Sequence, residues 1–257
     1  MRCRGGPTAL CLLAALLLGA CGGDDGDSAA SSTTVGAVTT VPALTVPAPT
    51  STAAPGTTKP GCADPAPEPG ATDVTSGQAD VNGDGRTDTV EVYRTGPPDE
   101  IASWHLRAEL GGGGGADLVL QGDEPGPAAV ALVGPARVNG DASDEIWLRV
   151  GSGASTTLLG LFVFRACQLE AATLGGLQAV FAVGGGVRFR SGLECTDAGL
   201  AVYEAEGEGS PAYTGTTTVH RLNGATLTAG DGEPLSYNVA DPASGRYGTF
   251  TCGALTL

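Results

Sequence analysis

Short apolar and β-branched runs, separated by turn residues, recur along the last two thirds of the chain. Many alternate between apolar and polar positions, as half-buried β-strands do, and no long run has the period of a helix. The Asn223–Gly224 dipeptide predicts a hairpin turn, and Gly111–Gly115 predict a hairpin tip. The predicted strands are Thr89–Arg94, Ala102–Leu110, Asp117–Gln121, Ala128–Val133, Glu145–Val150, Thr157–Arg165, Val187–Arg190, Leu200–Glu204, Tyr213–Leu222, Ala225–Thr228 and Phe250–Leu255. We therefore expect an all-β domain.

The N-terminus has a different pattern. Arg2 and Arg4 precede the apolar run Ala9–Leu18, which is too short to span a bilayer and is typical of an export signal. The residues Leu18, Gly19, Ala20 and Cys21 that end and follow this run resemble the lipobox of bacterial lipoproteins. The resemblance implies cleavage before Cys21 and lipidation of its thiol, whereas the alternative is an ordinary cleavage site with an incidental cysteine. We expect residues 1–20 to be a signal peptide and the protein to be lipid-anchored at the extracytoplasmic face of the cell membrane.

Residues 21–60 consist largely of Ser, Thr, Pro, Ala, Val and Gly. Such a composition buries too little apolar surface to fold, so we expect a disordered linker. The composition changes at Cys62, which places the folded domain at residues 61–257. A domain of this length can bury a substantial core.

The charge balance excludes one class of partner. The chain carries 13 Lys and Arg against 28 Asp and Glu, a net charge of −15. Removing residues 1–20 takes away two arginines and no acid, which leaves 11 − 28 = −17. A chain this acidic is not suited to nucleic acid or to anionic headgroups, so we expect a monomer that contacts the membrane only through its lipid.

The cysteines predict two disulfides. Two of the seven leave with the signal and Cys21 takes the lipid, which leaves an even number in an exported domain. Three pairings are open, and we favour Cys62 with Cys252, joining the ends of the domain, and Cys167 with Cys195, joining neighbouring segments. A metal–thiolate site is disfavoured because there is no CxxC pair.

The stretch DVNGDGRTDTVE, from Asp80 to Glu91, has oxygen ligands at alternate positions ahead of a turn glycine. Calcium prefers six to eight oxygens at roughly 2.3 to 2.6 Å, and glycine permits the sharp turn that such a loop needs. The predicted ligands of one structural Ca²⁺ are Asp80, Asn82, Asp84, the carbonyl of Arg86, and Asp88. The alternative is a polar turn that binds only water.

The full string also satisfies the EF-hand expression, but its surroundings do not. The preceding residues contain prolines and glycines and no helical period, and the following run alternates as a strand with Val90 and Val92 on one face. Glu91 would then lie on the opposite, solvent-facing side. We therefore predict a calcium loop between extended segments and not an EF-hand.

A second copy of the motif, RVNGDASDEIW, lies 57 residues later at Arg137–Trp147. Arg137 replaces the first aspartate and Ala142 replaces the turn glycine, so we expect the second loop to lack calcium and to pair Arg137 with its own acids. A shorter repeat runs from Asp197 to Tyr203.

The motif and its strand resemble FG-GAP and VCBS-type repeats, whose calcium loops sit in β-propellers of the integrin α-chain kind. The resemblance implies that the five ligands named above carry the metal. Residues 61–257 hold about three such units, whereas propellers usually close with four to eight blades. We expect either an incomplete, propeller-related assembly or a sandwich that carries the loop.

Catalytic motifs are absent from the sequence: it contains no GxSxG, HExxH or GxxxxGK. His105 and His220 are expected to be strand-surface residues, and Glu204, Glu206 and Glu208 to form a solvated acidic loop. Trp104 and Trp147 are expected in the core. We expect a non-catalytic lipoprotein that binds an envelope or extracellular protein or glycan; the alternative is a secreted hydrolase whose active site leaves no motif.

Overall fold

The computed structural model of the chain describes residues 61–97, 103–121, 130–207 and 211–257. The predicted signal, the lipidation site at Cys21, the linker and Glu208 lie outside these residues. The described part forms strands and a single 3-10 helix at Pro242–Arg246. The prediction of an all-β domain is confirmed, and its open sheets give a sandwich-like arrangement.

The strands, in chain order, are β1 (Thr72–Ala79), β2 (Asp88–Thr95), β3 (Ser103–Glu109), β4 (Gly115–Gln121), β5 (Ala131–Ala136), β6 (Glu145–Ser152), β7 (Thr156–Arg165), β8 (Gln168–Ala171), β9 (Thr173–Leu174), β10 (Leu177–Gln178), β11 (Val180–Gly185), β12 (Phe189–Thr196), β13 (Gly199–Glu206), β14 (Ala212–Asn223), β15 (Thr226–Asn238), β16 (Phe250–Cys252) and β17 (Leu255–Thr256).

Sequence reasoning missed strands that lack a clear apolar alternation. The first strand, β1, is polar and mostly exposed, and β11 has only the short apolar run Val180–Val183 before two glycines. The predicted strand Ala225–Thr228 is only the start of β15, which continues through glycines and a proline to Asn238. Partner strands supply the hydrogen bonds in these segments, so local propensity is overridden by the sheet.

Three four-stranded antiparallel meanders account for most of the fold. The strands β1 to β4 form one sheet, and β5 to β8 and β12 to β15 belong to a second sheet of thirteen strands. The loops that carry the DVNGDGRTD motif and its copy lie at the same place in their meanders, between the first and second strands. The 57-residue repeat in the sequence therefore corresponds to one meander.

The hairpin β6–β7 separates two hydrophobic cores. On one face, Ile146, Leu148 and Phe162 pack with the apolar side of the β1–β4 sheet. On the other face, Trp147 and Leu161 pack with the apolar residues of β11 to β16. A strand covered on both faces loses its alternation, which explains the continuous apolar character of this hairpin. Trp147 is fully buried and Trp104 nearly so, as predicted.

The disulfides join Cys62 to Cys167 and Cys195 to Cys252, so the predicted pairing was wrong although all four residues are bridged. Cys195 follows the two β12 residues that pair in parallel with β16, which brings its Cα within 4.6 Å of that of Cys252. Cys167 lies in the two-residue turn between β7 and β8, beside the chain that precedes β1. The separation of the cysteines along the chain does not predict either disulfide, because both depend on how distant segments pack.

Candidate functional site

The predicted calcium loop, residues 80–88, connects β1 to β2 and is called loop 1 here. The carboxylate of Asp80 accepts the N–H of Asp84 at 3.0 Å through Oδ1 and the N–H of Gly85 at 2.9 Å through Oδ2. Oδ1 of Asn82 also accepts the N–H of Asp84 at 3.0 Å, and Oδ1 of Asp84 accepts the N–H of Arg86 at 2.8 Å. Gly85 has a φ of 79°, a conformation that favours glycine. The side-chain oxygens of loop 1 thus accept hydrogen bonds from backbone N–H groups of the same loop.

Asp88 ends loop 1 with a buried side chain that binds both the loop and the glycine tip between β3 and β4. Its side chain is completely buried, and it accepts the N–H of Val81 through Oδ2 and that of Gly111 through Oδ1, each at 2.9 Å. The predicted glycine tip between β3 and β4 is present, and its first glycine makes this contact. A Cβ on Gly111 would lie 2.3 Å from the carbonyl oxygen of Thr87, so only glycine allows the tip to pack so closely.

Loop 2, residues 137–145, connects β5 to β6 and repeats the hydrogen bonds of loop 1. Oδ1 of Asn139 accepts the N–H of Asp141 at 3.1 Å, and Oδ1 of Asp141 accepts the N–H of Ser143 at 3.1 Å. Oε2 of Glu145 accepts the N–H of Val138 at 2.7 Å, as Asp88 accepts that of Val81. The two loops therefore share one backbone arrangement, which supports their origin as a repeat.

Loop 2 differs at its first and last positions. Nε of Arg137 lies 3.5 Å from Oδ1 of Asp144, an ion pair within the loop of the kind predicted for this arginine. Glu145 is 3% exposed, and burial raises the pKa of its carboxyl to about 7. The nearby carboxylates of Asp141 and Asp144 raise this pKa further, and the N–H bond from Val138 opposes them.

The two loops touch one another. Asp80 donates its N–H to Oδ2 of Asp144 at 2.9 Å and accepts the N–H of Asp144 at its carbonyl oxygen at 2.8 Å. A Cβ on Gly83 would contact Ala142 at 3.4 Å. The first residue of loop 1 is therefore positioned by an acid of loop 2.

No group of three or more His, Cys, Asp or Glu side chains within the described ranges lies close enough to hold a metal ion. The carboxylates of loop 1 are held by backbone N–H groups instead. An ionised carboxylate has about four lone-pair positions, so Asp80, with two hydrogen bonds, retains acceptor capacity for a cation. The donor chemistry of loop 1, oxygen throughout, suits a hard cation, and calcium binding stays a prediction.

Thr95, His105 and Asp117 form a hydrogen-bonded row that sequence reasoning missed. Oγ1 of Thr95 lies 3.1 Å from Nε2 of His105, and Nδ1 of His105 lies 3.0 Å from Oδ1 of Asp117. Tyr93 stacks on the His105 ring and donates its hydroxyl to Oδ2 of Asp117 at 2.8 Å. Burial and this hydrogen bond raise the pKa of Tyr93 to about 12.

These residues lie on the face of the β1–β4 sheet opposite the core. The register pairs Tyr93 with His105 and Arg107 with Asp117, so alternate residues of three strands meet there. Glu91 lies on the same face, as predicted, but it is paired with Nη1 of Arg107 at 2.9 Å. Alternation alone identifies the outward residues, but only the register shows which of them are neighbours.

Residues 61–69, called the cover segment, lie over this polar face. Arg107 donates through Nε to the carbonyl oxygen of Pro65 at 2.6 Å, and Gly115 donates its N–H to that of Ala63 at 2.7 Å. The Cys62–Cys167 disulfide fixes the start of the segment. Under this cover His105 is only 4% exposed, so its predicted surface position was wrong.

His220 is also buried, on β14, and its predicted surface position was wrong as well. Its ring packs edge-on against Phe181 with centroids 6.2 Å apart, and burial lowers its pKa. Nδ1 finds no hydrogen-bond partner among the described residues. Glu204 and Glu206 are exposed, as predicted, but they lie on the strand β13 and not in a loop.

No protein-family model, curated protein or solved structure matches this chain. Within the described residues, no helix is both long and apolar enough to cross a membrane.

Proposed function

We propose that this protein is a lipoprotein anchored through Cys21 at the extracytoplasmic face of the cell membrane, with a β domain that carries one structural Ca²⁺. Its role is non-catalytic: the domain binds or scaffolds an envelope or extracellular protein or glycan. The observation that carries the proposal is loop 1, in which Asp80, Asn82 and Asp84 turn the chain around a set of oxygen donors. The acyl chains at Cys21 would hold the domain at the membrane.

Calcium would be held by Asp80, Asn82, Asp84, the carbonyl of Arg86, and Asp88. It would neutralise acids that a chain of net charge −15 otherwise leaves close together. Asp88 has the least freedom, because both of its oxygens already accept backbone N–H groups. Extracellular calcium modules bind with Kd values of about 0.1 to 1 mM, which suits a permanent structural ion outside the cell.

A thermal-unfolding experiment tests the calcium site. Ligand that binds only the folded state adds RT ln(1 + [L]/Kd) to its stability, so a chelator should lower Tm. The Asp84→Ala variant should lose this response. The matched control is Asp141→Ala in loop 2, which removes the same backbone acceptor and should keep the response. A wild-type Tm indifferent to chelation would contradict the site.

The row Thr95–His105–Asp117 supports a second candidate function, acyl hydrolysis. A hydroxyl, an imidazole and a carboxylate within hydrogen-bonding distance form the usual arrangement of an activated nucleophile. In such a reaction His105 would take the Thr95 proton as Oγ1 attacks the acyl carbon, and would pass it to the leaving group. A water molecule deprotonated by His105 would then attack the acyl carbon, and the released Thr95 oxygen would regain its proton. We favour the binding role because the cover segment buries His105 and because the threonine hydroxyl is flanked by a methyl group.

A covalent probe separates the two functions. A fluorophosphonate that labels the wild-type protein but neither Thr95→Ala nor His105→Gln would favour hydrolysis. Thr95→Ser is the conservative control and should retain the label in that case. Absence of labelling at a concentration that labels a known serine hydrolase, with the chelator response intact, would favour the binding role.

A further inference from the structure

Four of the five tyrosines of the chain form one stack on the β12–β15 meander. The rings of Tyr213 and Tyr237 are 5.2 Å apart and nearly parallel, and those of Tyr237 and Tyr247 are 3.9 Å apart. Tyr203 meets Tyr247 edge-on at 5.7 Å. The chain that returns from β15 to β16 supplies Tyr247 and holds the stack against the sheet.

A guanidinium lies at each end of this stack. Arg190 lies 5.4 Å from the centroid of the Tyr213 ring, and Arg246 lies 5.8 Å from that of Tyr203. Neither arginine has an acidic side chain within salt-bridge distance among the described residues. A groove of about 510 Å³ lies beside Arg246 and Tyr203, and Arg190 is not among the residues that line it.

Glycine at position 192 explains how this groove forms. A Cβ on Gly192 would lie 1.8 Å from the carbonyl oxygen of Arg246, so the returning chain can lie directly on β12. Gly248 donates its N–H to the carbonyl oxygen of Ser191, and Leu193 donates its N–H to the carbonyl oxygen of Thr249, both at 2.9 Å. The wall that carries Arg246 is thus attached to the sheet by backbone hydrogen bonds.

The groove presents both an acceptor and a donor of charge-assisted hydrogen bonds. Oε2 of Glu194 accepts the Tyr203 hydroxyl at 2.7 Å, which fixes the carboxylate and leaves Oε1 for a ligand. Burial and this bond raise the pKa of Tyr203 to about 12, so its hydroxyl stays a donor. Arg246 supplies up to five N–H groups from the opposite wall, and the exposed Thr251 adds a hydroxyl.

We propose that this groove binds a neutral carbohydrate. Hydroxyl groups on adjacent sugar carbons can donate to Glu194 and accept from Arg246 and Thr251. One negative and one positive group cancel, so the site selects neither an anion nor a cation. Its volume lies in the range of about 300 to 1,000 Å³ usual for small-ligand sites. The inference rests on the proposed binding role, of which it names the partner class.

Saturation-transfer NMR on the full-length protein in a detergent without a sugar headgroup tests the proposal. The probes are neutral gluco-, manno- and galacto-oligosaccharides, with a uronic-acid oligosaccharide and a zwitterionic tripeptide as comparison ligands. We expect transfer to at least one neutral oligosaccharide and a weaker signal for the uronate. No transfer to any neutral sugar, or displacement of the sugar by the tripeptide at equal concentration, would overturn the proposal.

Variants at the two ends of the stack give a matched control. Glu194→Gln and Arg246→Ala should each weaken sugar binding about 10- to 100-fold, because each removes a hydrogen bond to a charged group. Arg190→Ala removes the equivalent guanidinium outside the groove and should leave the affinity unchanged. Equal losses in all three variants would overturn the assignment. Sugar binding that persists when the chelator response is absent would reject the calcium site and retain the groove.

Discussion

Loops 1 and 2 share a backbone arrangement and differ in how each satisfies its buried acid. In loop 1, Asp88 receives two N–H groups, from Val81 and from the glycine tip at Gly111. In loop 2, Glu145 accepts the N–H of Val138 through Oε2, and burial raises the pKa of its carboxyl to about 7. The comparison teaches that a buried carboxylate becomes easier to protonate when backbone donors do not offset the cost of its burial.

The loops also differ at their first position. Loop 1 begins with Asp80, so three aspartates and one asparagine lie around its turn. Loop 2 begins with Arg137, which pairs with Asp144. The Arg137 guanidinium thus supplies in loop 2 the positive charge that a bound Ca²⁺ would supply in loop 1. Substitutions that exchange these features test the comparison.

Removal of the buried acid of loop 1 should have the largest effect. Asp88→Ala leaves the buried N–H of Val81 and the more exposed N–H of Gly111 without their acceptor, and a buried group left so costs about 1 to 3 kcal/mol. We expect the free energy of unfolding in urea, measured with chelator present, to fall by about 2 to 5 kcal/mol. Asp84→Ala, on the exposed side of the loop, is the control and should change it by less than about 1 kcal/mol. Similar small losses in both would contradict the central role of Asp88.

The buried acid of loop 2 should make stability depend on pH. The folded-state pKa of Glu145, about 7, lies above the ordinary value of 4.5, so its stabilising protonation is complete below pH 4.5 and is lost as the pH rises through 7. Glu145→Gln keeps an acceptor for Val138 and removes the charge. Relative to wild type, we expect it to gain about 3 kcal/mol between pH 4.5 and 8, seen in urea unfolding at both values.

Glu204→Gln is the control for this pH effect, because Glu204 is exposed on β13. Its unfolding free energy should follow the wild-type pH profile. A Glu145→Gln profile parallel to that of wild type would show that the N–H of Val138 offsets the burial of the loop 2 acid, and the pH effect assigned to Glu145 would be wrong.

Conversion of loop 2 into a copy of loop 1 should create a second cation response. Arg137→Asp with Ala142→Gly restores the two positions that differ from the calcium pattern. At a calcium concentration ten times Kd, a second site adds about 1.4 kcal/mol to stability, visible as a larger chelator-induced fall in Tm. Arg137→Asp alone, which keeps Ala142 at the turn, is the control with the smaller response. No added response in the double variant would weaken the calcium proposal for loop 1 as well.

The backbone of loop 1 could be predicted because its donors and acceptors lie within a few residues of one another. The repeat was also visible, since Asn82 and Asp84 align with Asn139 and Asp141 in the sequence. The contact between the loops could not be predicted, because the bonds between Asp80 and Asp144 depend on how two meanders pack. Local patterns encode turns, whereas packing of distant strands decides which turns meet.

The difference between local pattern and distant packing also explains why the predictions for His105 and for the cysteine pairing were wrong. Alternation placed His105 on the outward face of its strand, but the cover segment that buries it is an irregular chain held by Arg107 and a disulfide. Nothing in the period of β3 indicates that such a segment lies above it. The prediction of the cysteine pairing failed for a related reason: the parallel contact between β12 and β16 brings together Cys195 and Cys252, which are 57 residues apart in the chain.

The ion pair of loop 2 should have the smallest effect. Arg137 is 58% exposed, and the N–O distance to Asp144 is 3.5 Å, so solvent screens the attraction. Asp144→Asn keeps an acceptor for the N–H of Asp80 and removes only the charge, and we expect a loss below about 0.5 kcal/mol. A double-mutant cycle with Arg137→Met measures the pair itself. A coupling energy above about 1 kcal/mol would mean that Arg137 holds loop 2 together much as the proposed calcium holds loop 1, whereas a value near zero would leave the backbone hydrogen bonds as the common support of both loops.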